Sequence, residues 1–485
     1  MQPSVANLRR KICLLELDIE RQEAALTFNR SLLRDLKARL ANENPTFPIL
    51  TLPPEIASEV FIHCVPENAC SPSYAVAPFA LLRVCKAWTR IALSTPALWT
   101  KIWVEIPIAA NATTQIEALE TMAKRAGQLP LALTITVLCP AAAADAFWPV
   151  FCTHSHRVQR LEIADSPVSL DLLARRSPAF SALEHLSISS TAVQVPLPVF
   201  RNAPLLRSVE LTDTILSRVP LPFENITNLV ASIYWMDEIL DIIRALPNLL
   251  VLHYTQYEEL PQDRLEPVAL VHNSLREIHL TEPDEDQSSI LGYLALPKLD
   301  VLVFEATDPT LYSTGVAEFI ERSHSSLRRL AFHCAPVRRT LTVEDWVFLQ
   351  RARQIAEMEI DYPCRFTAKL FCAALSLPEN LPELKKLVLR CRQFPAVEDD
   401  EHDYELRLED EDEVALADVV GLVLDAVETR VVGGQARPFQ LRILAEDNNA
   451  VGLVSLSDKQ AQQCRQIQLC GADVWIGPEG RNLAA

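Results

Sequence analysis

The stretch Leu296-Pro297-Lys298-Leu299-Asp300-Val301-Leu302-Val303-Phe304 decides how this chain folds. Leu299, Leu302 and Phe304 stand at L-x-x-L-x-L spacing behind a Leu-Pro lead-in, and the last two positions, two residues apart, share one face of a strand. The triplet recurs as Val158/Leu161/Ile163, Leu183/Leu186/Ile188 and Leu206/Val209/Leu211. A degenerate copy stands at Ile226/Leu229/Ala231, followed by Leu249/Leu252/Tyr254 and Leu275/Ile278/Leu280. Beyond the quoted stretch come Leu327/Leu330/Phe332, Ile355/Met358/Ile360 and Leu384/Leu387/Leu389. Similar lead-ins (NAPLL, ALPNLL, NLPEL) precede several copies, and helical patterns fill the gaps at Met236–Leu246, Thr314–Ser323, Val343–Gln354 and Thr367–Leu375. One strand and one helix per unit predicts an α/β chain with a parallel sheet on one side and helices on the other.

The period, 20–29 residues, is that of leucine-rich repeats, and residues 158–397 resemble an irregular leucine-rich-repeat solenoid. The turn position that such repeats give to Asn or Cys is Ser166, Thr191, Thr214 or Thr307 in some copies and Tyr, Pro, Ala or Arg in others. Ser and Thr hydroxyls satisfy turn backbone groups and the others do not do so equivalently, so no continuous asparagine ladder is expected. The competing reading is an unrelated α/β domain with coincidental strands; ten copies in register weigh against it.

Upstream, Leu52–Trp99 reads as a small helical module. Leu52-Pro53-Pro54-Glu55 opens a helix, proline being tolerated in a first turn and Glu55 complementing the dipole. Ile56, Val60, Phe61 and Cys64 make its apolar face. After a loop, Pro66–Pro78, a second helix carries Leu81, Val84, Cys85, Trp88, Ile91 and Ala92 on one stripe; Pro96 stops it and Leu98-Trp99 close the unit. So small a module buries little surface by itself and needs a cover. Leu52-Pro53, Ile56, Val60-Phe61, Val84-Cys85-Lys86, Trp88, Ile91 and Leu98-Trp99 resemble, in order and spacing, the F-box of fungal F-box-like proteins, with a longer loop between the helices. The resemblance implies an F-box at 49–105 that docks a Skp-type adaptor, and through it a cullin, by Leu52, Pro53, Ile56, Val60, Phe61, Leu82, Val84, Cys85, Trp88 and Ile91. Without it, these residues would be read as the core of a helical pair. A helix at Ala109–Ala126 ending at Gly127 and a strand at Leu129–Leu138 form a linker unit, 106–157, and the fungal family has a similar helix, turn and strand.

Residues 1–44 read as one long helix. Val5, Leu8, Ile12, Leu15, Ile19, Gln22, Leu26, Asn29, Leu33, Leu36 and Leu40 occupy a and d positions over roughly 50 Å. The pattern predicts a coiled coil, by self-association or with another helix; the alternative is an amphipathic helix folded back on the body. Fully overlapped antiparallel pairing would set basic Arg9 and Lys37 together, whereas parallel pairing sets Lys11 against Glu16, which attracts, and Asp18 against Glu23, which repels. Asn42–Pro48 is a polar hinge.

Composition narrows the function. A net charge of −18 over 485 residues argues against a general nucleic-acid binder. Twelve scattered cysteines without a CxxC indicate reduced thiols. No signal core opens the chain, and the most apolar run, Leu129–Cys152, is interrupted by Pro130, Pro140, Asp145 and Pro149, so no membrane span is expected and cytoplasm or nucleus is the expected compartment. Residues 398–413 hold eleven acids and one arginine; the run reads as a solvated loop, or alternatively as a lure for a basic substrate. Residues 414–485 are expected to cap the solenoid, with a helix at Val414–Val431 stopped by Gly433-Gly434 and strands at Phe439–Leu444 and Gln466–Leu469.

Chemistry is sparse. There are ten glycines and no GxGxxG, GxxxxGK or GxSxG motif. Cys152-x-His154-x-His156 is the best metal-like spacing, read on a strand that would point all three to one side, but no second cluster completes it. His333-Cys334 and His63-Cys64 are adjacent pairs, whose side chains diverge on a strand. No catalytic residue, cofactor or metal is therefore expected. The sequence reads as a substrate receptor of an SCF-type ubiquitin ligase, or alternatively as a coiled-coil and solenoid scaffold without a ligase partner. The target face would be the strand positions between core residues: Glu162, His185, Glu210, His253, Glu277, His279, Arg329, Glu359 and Lys386. Neighbouring strands should gather His253, Glu277 and His279 into a recognition cluster for a target protein, unless the face is merely solvated.

Overall fold

The structure, a computed structural model, describes residues 5–43, 52–66, 76–106, 113–138, 145–165, 173, 175–189, 198–212, 219–233, 236–256, 269–281, 290–305, 312–323, 326–333, 348–361, 365–377, 379–391, 416–433, 438–445, 456–477 and 482–484. The turn positions Ser166, Thr191, Thr214 and Thr307, Cys334, the acidic run 398–413, and most of the 66–78 loop and of the hinge at 42–48 lie outside the described residues. The chain divides into two compact units, Met1–Trp99 with Arg125–Gly127, and Thr100–Lys124 with Gln128–Ala485.

The first unit is helical. Helix α1 spans Val5–Glu43, α2 Pro54–His63 and α3 Lys86–Leu93, with single 3-10 turns at Leu81–Arg83 and Pro96–Trp99. Pro54 sits at the start of α2, where its missing N–H costs nothing. The expected continuous second helix is corrected: Cys85 is extended (φ −160°, ψ 168°) and divides it into a 3-10 turn and α3. The stripe therefore splits, Leu81 and Ala92 going to the interior while Val84 and Cys85 stay exposed.

The second unit is mixed α/β around one parallel sheet of fourteen strands. The strands are β1 (Lys101–Ile106), β2 (Leu131–Val137), β3 (Val158–Asp165), β4 (His185–Ser189), β5 (Ser208–Thr212), β6 (Asn228–Ile233) and β7 (Val251–Gln256). They continue with β9 (Glu277–Thr281), β11 (Val301–Phe304), β12 (Arg329–Phe332), β13 (Glu357–Asp361), β14 (Lys386–Cys391), β15 (Gln440–Ala445) and β16 (Asp473–Gly477). Among the described residues, two short strands, β8 (Leu270–Val271) and β10 (Leu294–Ala295), pair with each other outside the large sheet. Every strand of the large sheet lies beside its predecessor, so space follows sequence from one edge to the other. Its helices are α4 (Thr113–Arg125), α5 (Phe147–His154), α6 (Met236–Ala245), α7 (Tyr312–Ser323), α8 (Phe348–Arg351), α9 (Arg365–Leu375), α10 (Leu416–Gly433) and α11 (Asp458–Leu469). None of the helices among the described residues is long and apolar enough to cross a membrane.

The repeated triplets explain the core. Leu186 pairs with Val209, Val209 with Leu229 and Leu229 with Leu252; two residues on, Ile188, Leu211, Ala231 and Tyr254 align in the same way, and all are buried. A parallel sheet whose apolar positions stay in register buries one continuous stripe, each fully buried Leu or Ile worth roughly 1.5–3 kcal/mol against exposure. Aromatic rings extend the stripe, with Phe304 stacked on Phe332 at 5.3 Å and Phe180 on Phe200 at 5.2 Å. The first residue of each triplet ends the lead-in, and there one backbone carbonyl serves two successive N–H groups of the next repeat: Glu184 accepts from Arg207 and Ser208, Arg207 from Thr227 and Asn228, Thr227 from Leu250 and Val251.

The sheet extends beyond residues 158–397 on both sides. It begins with β1 and β2, and the C-terminal segment adds two strands, β15 and β16, to the same ladder. The strand expected at Gln466–Leu469 is corrected: those residues are the last turn of α11. Ser457 accepts from the Gln460 backbone while the Gln460 side chain returns to Ser457, a capping box, and Gln463, Cys464 and Ile467 then face inward at helical spacing. Of the helix expected at Val343–Gln354, the described part is helical over Phe348–Arg351 only. The spacing Cys152, His154, His156 is helical, not extended, since α5 and a 3-10 turn at Ser155–Arg157 carry it. At the far edge, Asn482 donates to the Val474 carbonyl and accepts from the Ile476 N–H, both at 3.0 Å, and Leu483 donates to the Ile476 carbonyl at 2.7 Å. The Asn482 amide thus stands where a further strand would pair.

Candidate protein-interaction surfaces

In the helical unit, the packing separates core from surface. Ala57, Phe61, Leu81, Ala92, Leu98 and Trp99 are buried. Phe61 meets Trp88 at 4.8 Å between ring centroids, and Phe79 meets Trp99 edge-on at 6.0 Å. Trp99 Nε1 donates to the Ala92 carbonyl at 2.9 Å, the Arg125 guanidinium lies 4.4 Å from its ring, and Thr95 Oγ1, just before the 3-10 turn, donates to Ser58 Oγ of α2 at 2.9 Å. With that interior filled, Leu52 (40%), Ile56 (51%), Val60 (40%) and Val84 (57%) keep large fractions of their surface in solvent. Pro53 and Cys85 are exposed too, and Leu82, Trp88 and Ile91 are half-buried. Phe61 is the correction to the expected adaptor contacts: at 1% exposure it belongs to the interior and supports the surface from beneath.

In the sheet unit, the face opposite the apolar stripe is mixed: mostly polar over β2–β9, with buried Val303, Ala331 and Val388 further along. One row runs through Thr134, Glu162, Ser187, Glu210, Val230, His253, His279, Val303, Ala331, Glu359, Val388 and Arg442, each residue beside the next. Its centre is the pair His253 and His279, whose rings stack at 3.9 Å with planes 13° apart. His279 Nε2 donates to Glu277 Oε1 at 2.7 Å. The expected trio is therefore assembled, and it leaves the Glu277 carboxylate held by an imidazole. Burial, then the neighbouring His279, push His253 below the ordinary histidine value. Burial followed by Arg160 does the same to His185. Glu162 takes hydrogen bonds from Arg160 Nε at 2.7 Å and Thr134 Oγ1 at 2.9 Å, and Lys386 reaches Glu357 at 3.3 Å.

A second polar group was not anticipated as a unit. Glu359, 5% exposed, receives Arg329 Nη2 at 2.9 Å and the Arg390 guanidinium, with His333 Nε2 at 3.8 Å. Burial alone would raise the Glu359 carboxyl, but hydrogen bonds from Arg390 and Arg329 outweigh it and hold the group below its ordinary value. The signal was in the alignment of the triplets: Ala331 pairs with Glu359, and Arg329 and Arg390 stand one position of the face away on the flanking strands. Ligand atoms of His333, Glu359 and Asp361 lie within 4.8 Å of one another, a spacing that suits a cation, but the two guanidiniums already balance the acidic charge there.

The titration of this face has a consequence. His185 and His253 have folded pKa values below that of free histidine, near 6.5, so the unfolded chain takes up protons first. Their stabilising effect is complete above about pH 6.5 and is lost as the pH falls through the folded values. The thermal midpoint of the sheet unit should therefore fall between pH 7 and 5, and H185Q/H253Q should flatten that slope. An unchanged slope in the double variant would contradict the assignment.

No protein-family model matches the chain, and no curated protein matches it.

Proposed function

We propose that this chain is a substrate-recognition subunit of an SCF-type ubiquitin ligase, working in cytoplasm or nucleus. The helical module 52–99 docks a Skp-type adaptor and through it a cullin. The repeats form an irregular leucine-rich-repeat solenoid whose polar face receives a target protein. The chain performs no bond chemistry; it raises the effective concentration of target near the ligase-bound ubiquitin donor.

One observation carries this reading. Leu52, Ile56, Val60 and Val84, four apolar positions of the F-box-like pattern, stay exposed after the interior of the module is filled by Phe61, Leu81, Leu98 and Trp99. Apolar side chains left exposed on so small a unit fit a partner that desolvates them. Support for the second surface is its mixture of carboxylates, imidazoles and guanidiniums, which suits a polar and specific protein contact.

The test is capture of the Skp adaptor by the intact chain against Ile56→Asp and Val84→Asp. Each places a carboxylate in an interface that must be dry, where an unpaired charge is strongly unfavourable. Adaptor capture should fall at least tenfold, with the helical content of the module unchanged. Equal capture by both variants, or none by the intact chain, would leave the scaffold reading in its place.

A further inference from the structure

The helix α1 presents an apolar stripe that nothing among the described residues covers. Ile12, Leu15, Ile19, Leu26, Leu33 and Leu36 are each more than half exposed, and every residue from 9 to 17 and from 19 to 36 is exposed. The alternative of a helix folded back on the body would bury this stripe, and the described structure does not. We propose that the stripe is covered by a second copy of this chain, in a parallel, in-register, two-stranded coiled coil. This does not rest on the ligase reading.

Three features select that partner and that geometry. First, the early heptads carry Ile12 and Ile19 at a and Leu15 at d, the choice that favours two parallel strands. Second, the seam holds two amides, Gln22 and Asn29, both at d. In a parallel in-register pair, each faces its own copy, and an amide supplies both the donors and the acceptor its twin needs. In a fully overlapped antiparallel pair, the layers become Ile12 with Leu36, Leu15 with Leu33, Ile19 with Asn29 and Gln22 with Leu26, so both amides face an aliphatic side chain and lose their partners. A slip of one heptad in the parallel pair would bring Gln22 against Asn29 but leave the other copy of each amide against Leu15 or Leu36, so the amides select register as well as direction. Third, Lys11 meets Glu16 of the other copy in the parallel pair, whereas Glu23 meets its own copy in the antiparallel one. One repulsive pair remains in the parallel arrangement, so the charges add to the argument of the amides and do not replace it. Leu14, Leu17, Phe28 and Leu32 lie off the seam and are exposed.

Light scattering on the full chain at micromolar concentration should return twice the single-chain mass. I19E/L26E should return the single-chain mass, with the thermal unfolding of the sheet unit unchanged. Orientation is read by disulfide trapping of Ile12→Cys in a Cys13→Ser background, with Cys13→Ser alone as the control. In the parallel pair the two 12 positions face each other; in the antiparallel pair they stand about 36 Å apart. An intermolecular disulfide is expected in the first case only. A single-chain or three-chain mass for the intact protein, a dimer that survives I19E/L26E, or a dimer without the disulfide at position 12 would each overturn the proposal.

Discussion

Trp99→Ala is expected to unfold the helical module outright. The indole is fully buried, its Nε1 holds the Ala92 carbonyl at 2.9 Å, Phe79 packs on its edge and the Arg125 guanidinium covers its face. Truncating a buried aromatic of this size removes about 3–5 kcal/mol. A module of this length has little stability in reserve, because small units bury a small fraction of their surface. Hydrogen exchange over residues 54–66 and 76–99 should rise towards unfolded rates, and adaptor capture should vanish with it. Ile56→Asp should also lose the adaptor but keep its exchange protection. That contrast separates a surface residue from a supporting one, and equal protection in Trp99→Ala and the intact chain would contradict the packing argument.

The second large effect is expected at Glu359. Removing its carboxylate leaves Arg329 and Arg390 facing each other on the polar side of the sheet. Breaking a buried charge pair by deleting one partner typically destabilises by about 3–5 kcal/mol. Both guanidiniums reach water, with side-chain exposures of 44% and 36%, so Glu359→Ala should fall at the lower end, about 3 kcal/mol. The direction with pH follows from the depressed carboxyl: its contribution is complete above the ordinary glutamate value and is lost as the pH falls through the folded value. Denaturant midpoints at pH 7 and pH 3 should therefore differ less in Glu359→Ala than in the intact chain. Glu359→Gln, which keeps the shape but not the charge, should lie between them at pH 7. A pH 7 midpoint unmoved by Glu359→Ala would remove the group from the stability of the sheet.

The parallel sheet was legible in the sequence because its signal repeats. A single L-x-L is weak, but ten in register place the strands from β3 to β14, and even the degenerate copy at Ile226/Leu229/Ala231 is β6. The end of helix α11 is not legible locally because Gln466-Ile467-Gln468-Leu469 alternates like a strand; the deciding information lies nine residues upstream, in the Ser457–Gln460 box. The break at Cys85 was hidden for a related reason, since apolar spacing on either side continues across it. Periodicity also marks interior and solvent-exposed residues alike: Ile56 and Phe61 carry the same signal, and only packing separates 51% from 1% exposure. The grouping around Glu359 depends on side chains from three strands far apart in sequence, which no local pattern reports.

The position of Asn482 bears on what happens beyond a single molecule. An unfinished parallel edge is a template, and any passing strand of suitable length can continue it. One side chain here imitates a strand's own amide, taking the donor of Ile476 and the acceptor of Val474 at once, and Leu483 takes the carbonyl of Ile476. It acts as a full stop: the ladder ends in a group that offers nothing for a newcomer to copy. In Asn482→Ala the Val474 carbonyl and the Ile476 N–H lose that partner, and light scattering should then return larger assemblies than the intact chain forms; an unchanged mass would show that Leu483 alone closes the edge.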